Sequence, residues 1–254
     1  MTLGTGRNAC ILGASRGIGL ALVCALLRRD DVARVYATAR QPEQSEALCA
    51  LRAEHGDRLR LLALDVREEP TIARAAGGLR AAAEKLHLLV HCAGVLHDGD
   101  GLRPEKRLAD VEPSALRRAF EVNAFGPLLV AKHFAPLLRH EERAVLANLS
   151  ARVGSIGDNR ARGWYAYRAS KAAQNMFTKT LALELARSAP RVICVALHPG
   201  TVDTALSRPF QRSVPAAQLQ RPEEAAARLL AVLDALTPAD HGAFLDKDGL
   251  AVPW

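Results

Sequence analysis

Short apolar runs alternate with longer helix-like stretches along the whole chain, and this alternation constrains the fold more than any other feature. Seven runs are predicted to be strands: Asn8–Leu12, Arg34–Ala39, Arg58–Leu64, His87–Cys92, Arg143–Leu149, Arg191–Leu197 and Ala243–Leu245. Most of them lack the polar alternation of a half-exposed strand, as expected where helices cover both faces of a sheet. Six helices are predicted between them: Gly17–Arg29, Glu43–His55, Glu68–Leu86, Pro113–Leu138, Tyr165–Arg187 and Pro222–Leu236.

This order of elements predicts an α/β fold of the Rossmann type. We expect one domain over residues 1–254, with a doubly wound parallel sheet of about seven strands and helices on both faces. Three segments rich in glycine, proline and charge are expected to be irregular: Val95–Glu112, Ala151–Trp164 and His198–Arg221. Each follows the carboxyl end of a predicted strand, where open α/β sheets bind ligands, and the third is long enough for a lid over the substrate.

Composition excludes several other classes of protein. The chain is 49% hydrophobic, but no apolar run reaches the roughly 18 residues of a membrane span, and the first eight residues do not look like a signal peptide. The five cysteines lack C-x-x-C spacing and the histidines lack ligand spacing, so we expect free thiols, no metal and a cytoplasmic location. The net charge of +7 is spread along the chain and 4% of the residues are aromatic, so no nucleic-acid partner is expected.

The segment "ILGASRGIGLAL" follows the first predicted strand and opens the first predicted helix. Glycines let a backbone turn tightly and approach a pyrophosphate, while the helix amino terminus directs N–H groups at the anion. The spacing here is G-x-x-x-G-x-G, and a glycine cluster alone is also compatible with an ordinary turn. Its position between a strand and a helix favours a dinucleotide site formed by Gly13, Ser15, Arg16, Gly17, Ile18 and Gly19.

Charge at the end of the second strand indicates which dinucleotide this site prefers. An NAD site usually offers an acidic residue there, but residues 34–41 contain none, and Arg40 stands at the expected position. Arg40 and Arg16 are suited to a 2′-phosphate, which guanidinium groups bind through charge-assisted hydrogen bonds. The alternative is that both are ordinary surface arginines. We therefore favour NADP(H) over NAD(H).

The segment "YAYRASK" contains two of the three tyrosines of the chain and a lysine. Tyr167 and Lys171 are four residues apart and share one face of a helix, whereas Tyr165 points elsewhere and is expected to form a wall of the pocket. A nearby cation favours the phenolate, so Lys171 is expected to lower the pKa of Tyr167 and fit it for acid–base chemistry. Taken alone, Y-x-x-x-K is common enough that an ordinary surface pair on a helix would be the better interpretation.

Several motifs occur together in a fixed order, and together they resemble the short-chain dehydrogenase/reductase family. They are the glycine loop, Asp65 after the third strand, Ala93-Gly94 after the fourth, Asn123 in "EVNAFG", Tyr167-x-x-x-Lys171 and "HPGTVDT". The resemblance runs from about Ala9 to the end of the chain. Within the family the chain is most similar to C-factor-like and sniffer-like carbonyl reductases, through "SARVGSIGDN", "GWYAYRASKAAQNMFTK", "LHPGTVDTALSRPF" and "FLDKDGLAVPW".

The resemblance implies a role for individual residues. Tyr167 would be the general acid in reduction and the base in oxidation, and Lys171 would bind the nicotinamide ribose. Asn123 would hold a water of the proton relay. The remaining cofactor contacts implied by the family are Asp65 and Val66 beside the adenine, Ala93 and Gly94 along the cofactor, and Pro199, Gly200, Val202 and Thr204 at the nicotinamide end.

The chain departs from the family pattern in two places. The usual Asn-Asn-Ala-Gly is "HCAG" here, and His91 is expected to be a structural replacement. The catalytic serine normally lies three residues before a glycine, and that position is Ala151. Ser150 lies one residue earlier, and Ser155 directly follows Gly154. The hydroxyl that donates to the substrate carbonyl oxygen would therefore come from Ser150 or from Ser155, or the site would have no serine donor.

Two functions are compatible with these observations. The first is an enzyme that transfers hydride between NADP(H) and a small carbonyl or alcohol substrate, and the resemblance implies a homodimer or homotetramer. The second is an NAD(P)-binding sensor or signalling protein with weakened catalysis, which Ala151 favours and the intact Tyr167–Lys171 pair opposes.

Overall fold

A computed structural model describes residues 6–82, 84–99 and 101–254, so most of the segment considered above for a signal peptide lies outside the described residues. Its centre is a parallel seven-stranded sheet with the order β3-β2-β1-β4-β5-β6-β9. These strands are β1 (Arg7–Leu12), β2 (Val32–Ala39), β3 (Leu59–Ala63), β4 (Leu88–His91), β5 (Ala144–Leu149), β6 (Val192–His198) and β9 (Phe244–Asp246). The predicted Rossmann-type sheet is therefore confirmed.

Helices cover both faces of the sheet. They are α1 (Gly17–Leu27), α2 (Glu46–His55), α3 (Glu69–Ala81), α4 (Pro113–Phe120), α5 (Gly126–Leu138), α6 (Tyr165–Ser188) and α7 (Pro222–Ala235). One apolar core joins α1, α2 and α7 to one face, and a second joins α3, α5 and α6 to the other. The strand order reverses between β1 and β4, and open α/β sheets bind ligands at the carboxyl ends of strands at such a point.

Two predicted helices differ from the observed ones. The helix predicted over Glu68–Leu86 ends at Ala81, and Ala83 lies outside the described residues. The helix predicted over Pro113–Leu138 is interrupted by a π-helical turn, Glu121–Phe125, between α4 and α5. Asn123 lies in this turn, and its side chain bonds the backbone of another loop, a functional context in which such turns are often found.

The segment His198–Arg221 is more regular than predicted. It contains a two-stranded parallel sheet, formed by β7 (Thr201–Val202) and β8 (Leu219–Gln220). A 3-10 helix, Arg208–Ser213, lies between these strands. The segment therefore forms a compact flap beyond the carboxyl end of β6.

Two further properties concern the described residues as a whole. None of their helices has the length and apolar character needed to cross a membrane. All five cysteines are free thiols, and Cys10 and Cys194 are buried. Burial raises the pKa of Cys194 to about 12, so this thiol stays protonated at neutral pH.

Candidate active site

The glycine loop between β1 and α1 is packed so closely that side chains are excluded. A Cβ atom on Gly19 would lie 2.2 Å from the Gly13 carbonyl oxygen, and one on Gly13 would lie 2.8 Å from the Ala93 nitrogen. Gly13 and Gly17 also have φ angles of 77° and 56°, which favour glycine. Because α1 begins at Gly17 with no acidic residue in its first turn, its N–H groups face a cradle that fits a pyrophosphate.

Segments distant in sequence meet at this loop. A Cβ atom on Gly17 would lie 3.1 Å from Thr204 Cγ2, so the flap after β6 reaches the amino terminus of α1. A Cβ atom on Gly94 would lie 3.4 Å from Asn123 Oδ1 and 3.7 Å from Lys171 Nζ. The proposed cofactor residues after β4 are therefore neighbours of the proposed catalytic residues.

Other predicted cofactor residues have structural partners of their own. Val66 is buried and would touch a Cβ atom on Gly126 at 3.0 Å. The backbone oxygen of Pro199 accepts a hydrogen bond of 3.0 Å from Gln220 Nε2. Val202 is buried in β7, next to the positive-φ residue Gly200. These contacts fix the start of the flap beside the crevice.

A groove continues from the glycine loop over the end of β2, where adenosine would lie. Its walls include Ser15, Arg40, Gln41, Ser45 and Asp65. Arg40 is exposed, as is Arg16 at the start of α1, and within the described ranges neither guanidinium forms an ion pair with a carboxylate. Asp65 is instead paired with Arg67 at 2.9 Å. The roles of Arg16 and Arg40 toward a 2′-phosphate stay predictions.

Tyr167 and Lys171 lie in the first two turns of α6, and both are buried. The Lys171 Nζ is 5.9 Å from the centroid of the Tyr167 ring. It donates hydrogen bonds to the Leu149 carbonyl oxygen at 2.9 Å and to Gln174 Oε1 at 2.8 Å. The ammonium is therefore held between α6 and the end of β5.

The pKa of Tyr167 does not follow the sequence-based expectation. Burial raises the pKa of this phenol, and no lowering by Lys171 opposes the shift. Burial also lowers the pKa of Lys171 to about 7. Because desolvation disfavours phenolate and ammonium alike, the expected lowering of the Tyr167 pKa is wrong for this arrangement. Near pH 7 the tyrosine keeps its proton, and the lysine is close to the midpoint of its titration.

Asn123 joins the π-helical turn to the segment after β4. Its Oδ1 accepts from the Val95 N–H at 2.8 Å, and its Nδ2 donates to the Val95 carbonyl oxygen at 2.8 Å. The same Nδ2 donates to Ser170 Oγ at 3.1 Å, and Ser170 donates to the Tyr167 carbonyl oxygen. Asn123 thus links the cofactor-binding segment to the helix that carries Tyr167.

Both candidate serines form hydrogen bonds away from Tyr167. Ser150 Oγ donates to Asn175 Oδ1 at 2.6 Å, and Asn175 lies two turns further along α6 than Tyr167. Ser155 Oγ donates to the Trp254 carbonyl oxygen at 3.3 Å and accepts from the Asp158 N–H. The assignment of Ser150 as a catalytic donor therefore loses its support, because the register of the loop turns its hydroxyl toward the middle of α6.

An aromatic cluster that sequence reasoning missed contacts Tyr167. The Trp164 ring lies edge-on to the Tyr167 ring at 6.1 Å and to the Phe210 ring at 5.0 Å. His97 packs against Phe210 at 5.8 Å. Tyr165, which was expected to form the wall of the pocket, is 40% exposed. The available signal was that Trp164 ends one irregular segment, Ala151–Trp164, and Phe210 lies inside another, His198–Arg221.

His91 is buried at the end of β4. This burial agrees with the expectation that His91 has a structural role in "HCAG". Burial lowers its pKa to about 3, so the ring is neutral at physiological pH. Neither ring nitrogen has a hydrogen-bond partner within the described residues. A neutral ring behind Lys171 is suited to packing and poorly suited to proton transfer.

One cluster in the described part of the chain has the proximity needed for a metal ion: His87, His140 and Glu142, at the opposite end of the sheet. The Asn8 N–H donates to His87 Nδ1, so the neutral ring carries its proton on Nε2, the nitrogen facing Glu142. A ligand nitrogen must be free of its proton. The cluster is better described as a hydrogen-bonded histidine–carboxylate pair.

The sheet, the glycine cradle and the Tyr167–Lys171 pair define a dinucleotide-binding oxidoreductase. The chain belongs to the short-chain dehydrogenase family, whose profile matches residues 7–214. An uncharacterised oxidoreductase of Schizosaccharomyces pombe is 30% identical over 254 residues, which cover 96% of both chains. The C-signal of Myxococcus xanthus is 37% identical over 147 residues, 58% of this chain and 83% of that protein.

Solved structures agree with this assignment. The carbonyl reductase Sniffer of Drosophila melanogaster has a TM-score of 0.85 and 26% identity, over 100% of both chains. The NADPH-bound carbonyl reductase from chicken fatty liver has a TM-score of 0.85 and 28% identity, over 98% of this chain and 100% of that one. The resemblance to sniffer-like carbonyl reductases is confirmed, and the chain is an oxidoreductase of a family that uses nicotinamide cofactors.

Proposed function

We propose that the protein is an NADP(H)-dependent carbonyl reductase, which reduces an aldehyde or ketone with a proton from Tyr167. The observation that carries this proposal is a buried Tyr167 on the same helix face as Lys171, whose Nζ lies 5.9 Å from the tyrosine ring centroid. Oxidoreduction follows from the family, whereas the carbonyl substrate and the choice of NADP(H) are our proposals.

The residues at the crevice fit a nicotinamide dinucleotide. A Cβ atom on Gly13 or Gly19 would clash with the backbone of Ala93 or Gly13, which explains why the loop lacks side chains there. When bound, the reduced nicotinamide supplies a hydride to the substrate carbonyl carbon. Exposed Arg16 and Arg40 favour the 2′-phosphate of NADP(H) over the free ribose of NAD(H).

Tyr167 acts as the general acid in this mechanism. As the carbonyl oxygen gains negative charge, the phenol donates first a hydrogen bond and then its proton. Burial raises the pKa of Tyr167, so the proton-donating form is fully populated at neutral pH. Reduction is therefore favoured near pH 7, whereas alcohol oxidation needs the phenolate and requires a higher pH.

Lys171 and Asn123 support the tyrosine. Burial lowers the pKa of Lys171 to about 7, so this lysine exchanges protons readily at physiological pH, and we propose that it helps to restore the proton of Tyr167, whose ring centroid is 5.9 Å from its Nζ. Asn123 holds the segment after β4 against α6 through Val95 and Ser170. With Ser150 and Ser155 bonded elsewhere, the Tyr167 hydroxyl is the principal donor to the substrate oxygen.

The aromatic cluster indicates the kind of carbonyl compound that binds. Trp164 and Phe210 present ring surfaces beside Tyr167, and such surfaces favour flat apolar groups over hydrated ones. We therefore propose an aromatic or otherwise planar apolar aldehyde or ketone as substrate.

The second candidate function is a dinucleotide-binding sensor or signalling protein. Ala151 favours it because the usual serine hydroxyl is missing, and one relative is the C-signal of Myxococcus xanthus. The test is NADPH consumption with a panel of aromatic and aliphatic aldehydes and ketones, repeated with NADH. We expect turnover, fastest with planar aromatic substrates and with NADPH. Tight NADPH binding without turnover on the whole panel would favour the sensor.

A further inference from the structure

The helix that carries Tyr167 begins without a capping side chain of its own. Its N-cap residue, Trp164, is left-handed at φ 57° and forms no side-chain cap, and the first turn of α6 contains no acidic residue. The first N–H groups of a helix need partners from outside it, especially when the helix end is buried. Tyr167 lies in this first turn, so its position depends on what satisfies those groups.

Glu105, from the segment after β4, supplies the missing cap. The two oxygens of its carboxylate accept from the Ala166 N–H at 3.2 and 3.3 Å. The residue is 3% exposed and forms no ion pair with a cation of the described chain. A buried carboxylate on a helix amino terminus is stabilised by the N–H groups and the helix dipole.

The backbone of Glu105 holds the same turn. Its carbonyl oxygen accepts from the Trp164 N–H at 2.6 Å. A Cβ atom on Gly163 would lie 2.7 Å from that oxygen, so only glycine fits in the approach to the helix. One residue thus fixes the strained Trp164 backbone and the first turn of α6 from across the substrate crevice.

We propose that Glu105 is the positioning residue for Tyr167, and that it couples the substrate-binding segment after β4 to the catalytic helix. This inference rests on the proposed role of Tyr167. Glu105 touches neither substrate nor cofactor in this scheme. It acts through the Ala166 N–H, one residue before Tyr167, so a change in Glu105 displaces the phenol without altering the dinucleotide cradle.

The test compares Glu105→Ala and Glu105→Gln with the wild type by kcat, KM, NADPH dissociation constant and amide hydrogen exchange over residues 163–170. Glu105→Ala should lower kcat about tenfold, because small displacements of a catalytic group are costly. It should leave NADPH affinity within about twofold and accelerate exchange in the first turn of α6. Glu105→Gln keeps an amide oxygen as acceptor and should recover most of kcat.

A matched control separates positioning from loss of a cap in general. Glu224 accepts from the Arg221 N–H at 3.0 Å at the start of α7, outside the site. Glu224→Ala should destabilise the fold and leave kcat within about twofold. If Glu105→Ala does not fold, Glu105→Asp tests the same contact, because its carboxylate is one methylene too short, and its kcat should fall relative to Glu105→Gln.

Two outcomes overturn the proposal: a folded Glu105→Ala or Glu105→Asp variant with wild-type kcat, or a loss of NADPH affinity equal to the loss of kcat. The double variant Tyr167→Phe/Glu105→Ala should have the same residual kcat as Tyr167→Phe alone. If the two substitutions lowered kcat by independent factors, Glu105 would not act through Tyr167, and this result would contradict the proposal as well. An error in the proposed function is recognised separately: either Tyr167→Phe would have the turnover of the wild type, or the wild type itself would reduce no carbonyl compound, while amide exchange in α6 still increased in Glu105→Ala.

Discussion

The two halves of the crevice are built in opposite ways. The cofactor half, around Gly13 and Gly19, depends on absent side chains, because its backbone segments approach within the space of a Cβ atom. The catalytic half, around Tyr167, depends on side chains that are present, buried and bonded across segments distant in sequence. Added atoms should therefore lower the NADPH affinity of the first half, and removed atoms should lower the kcat that depends on the second half.

Removal of the Tyr167 hydroxyl oxygen from the catalytic half should have the largest effect on kcat. Tyr167→Phe keeps the ring and its packing against Trp164 but deletes the proton donor. We expect kcat to fall by about 10³ or more, with NADPH affinity unchanged, because general acid catalysis contributes 10²–10⁴-fold and the hydroxyl also stabilises the oxyanion. Steady-state kinetics with one good carbonyl substrate provide the measurement.

Tyr165→Phe is the matched control, since it deletes the same atom two residues away on an exposed ring. Its kcat should stay within about threefold of the wild type. A Tyr167→Phe enzyme with near-normal kcat would remove the distinction between the two halves and show that Tyr167 is not the proton donor.

Lys171 shows that the catalytic half reduces the stability of the fold. Burial lowers its pKa from 10.5 to about 7, so between these pH values the unfolded chain binds more protons and stability rises with pH. The destabilisation is complete below pH 7 and disappears above about pH 10. Lys171→Met should therefore have a larger free energy of unfolding than the wild type at pH 6, by at most about 5 kcal/mol, and should lose this advantage toward pH 10.

The control for this change is Lys179→Met, at an exposed position of the same helix. It should show no comparable gain at pH 6. A Lys171→Met variant whose relative stability does not change with pH would show that the ammonium of Lys171 is hydrated. Turnover of Lys171→Met should also fall, because the proton route to Tyr167 is lost.

The cofactor half should fail when a methyl group is added. In Gly19→Ala the new carbon would lie 2.2 Å from the Gly13 carbonyl oxygen, so the cradle must open. We expect NADPH affinity to fall at least tenfold. Gly78→Ala, at an exposed position of α3 with no atom within 4 Å of the new carbon, should instead stabilise the fold by about 0.5–1 kcal/mol. Calorimetric titration and thermal unfolding test both, and equal effects on NADPH affinity would contradict the cradle.

The contrast also explains what the sequence could predict. Strand–helix alternation and the spacing of Gly13, Gly17 and Gly19 are local patterns, so a parallel sheet of about seven strands and a glycine loop between its first strand and first helix could be predicted from them. The direction of a side chain depends on distant segments. Spacing placed Lys171 on the face of Tyr167 but could not reveal that its ammonium turns to Leu149, and no local pattern joins Glu105 to a helix sixty residues later.

Charge recognition at the far end of the cofactor half should have a more selective effect, on one cofactor and not the other. Arg40→Ala removes a charged donor and should weaken NADPH binding by about 1.5–3 kcal/mol while leaving NADH binding unchanged. Arg60→Ala is the control, because Arg60 lines the same groove but is paired with Asp57. Titration of both cofactors gives the answer, and equal losses for NADPH and NADH would show that Arg40 does not contact the 2′-phosphate.

The smallest effects should come from the serines, which look catalytic in the sequence but have other partners in the structure. Ser150 is bonded to Asn175 and Ser155 to Trp254, so Ser150→Ala and Ser155→Ala should each retain kcat within about threefold. A true oxyanion donor would instead be worth about 10²–10³ in kcat. Ala151→Ser adds a hydroxyl at the usual family position, and an increase in kcat would show that the catalytic half has room for a second donor beside Tyr167. A hundredfold loss in Ser150→Ala would reverse this view, because it would mean that the Ser150 hydroxyl leaves Asn175 and turns to the substrate when the carbonyl compound binds.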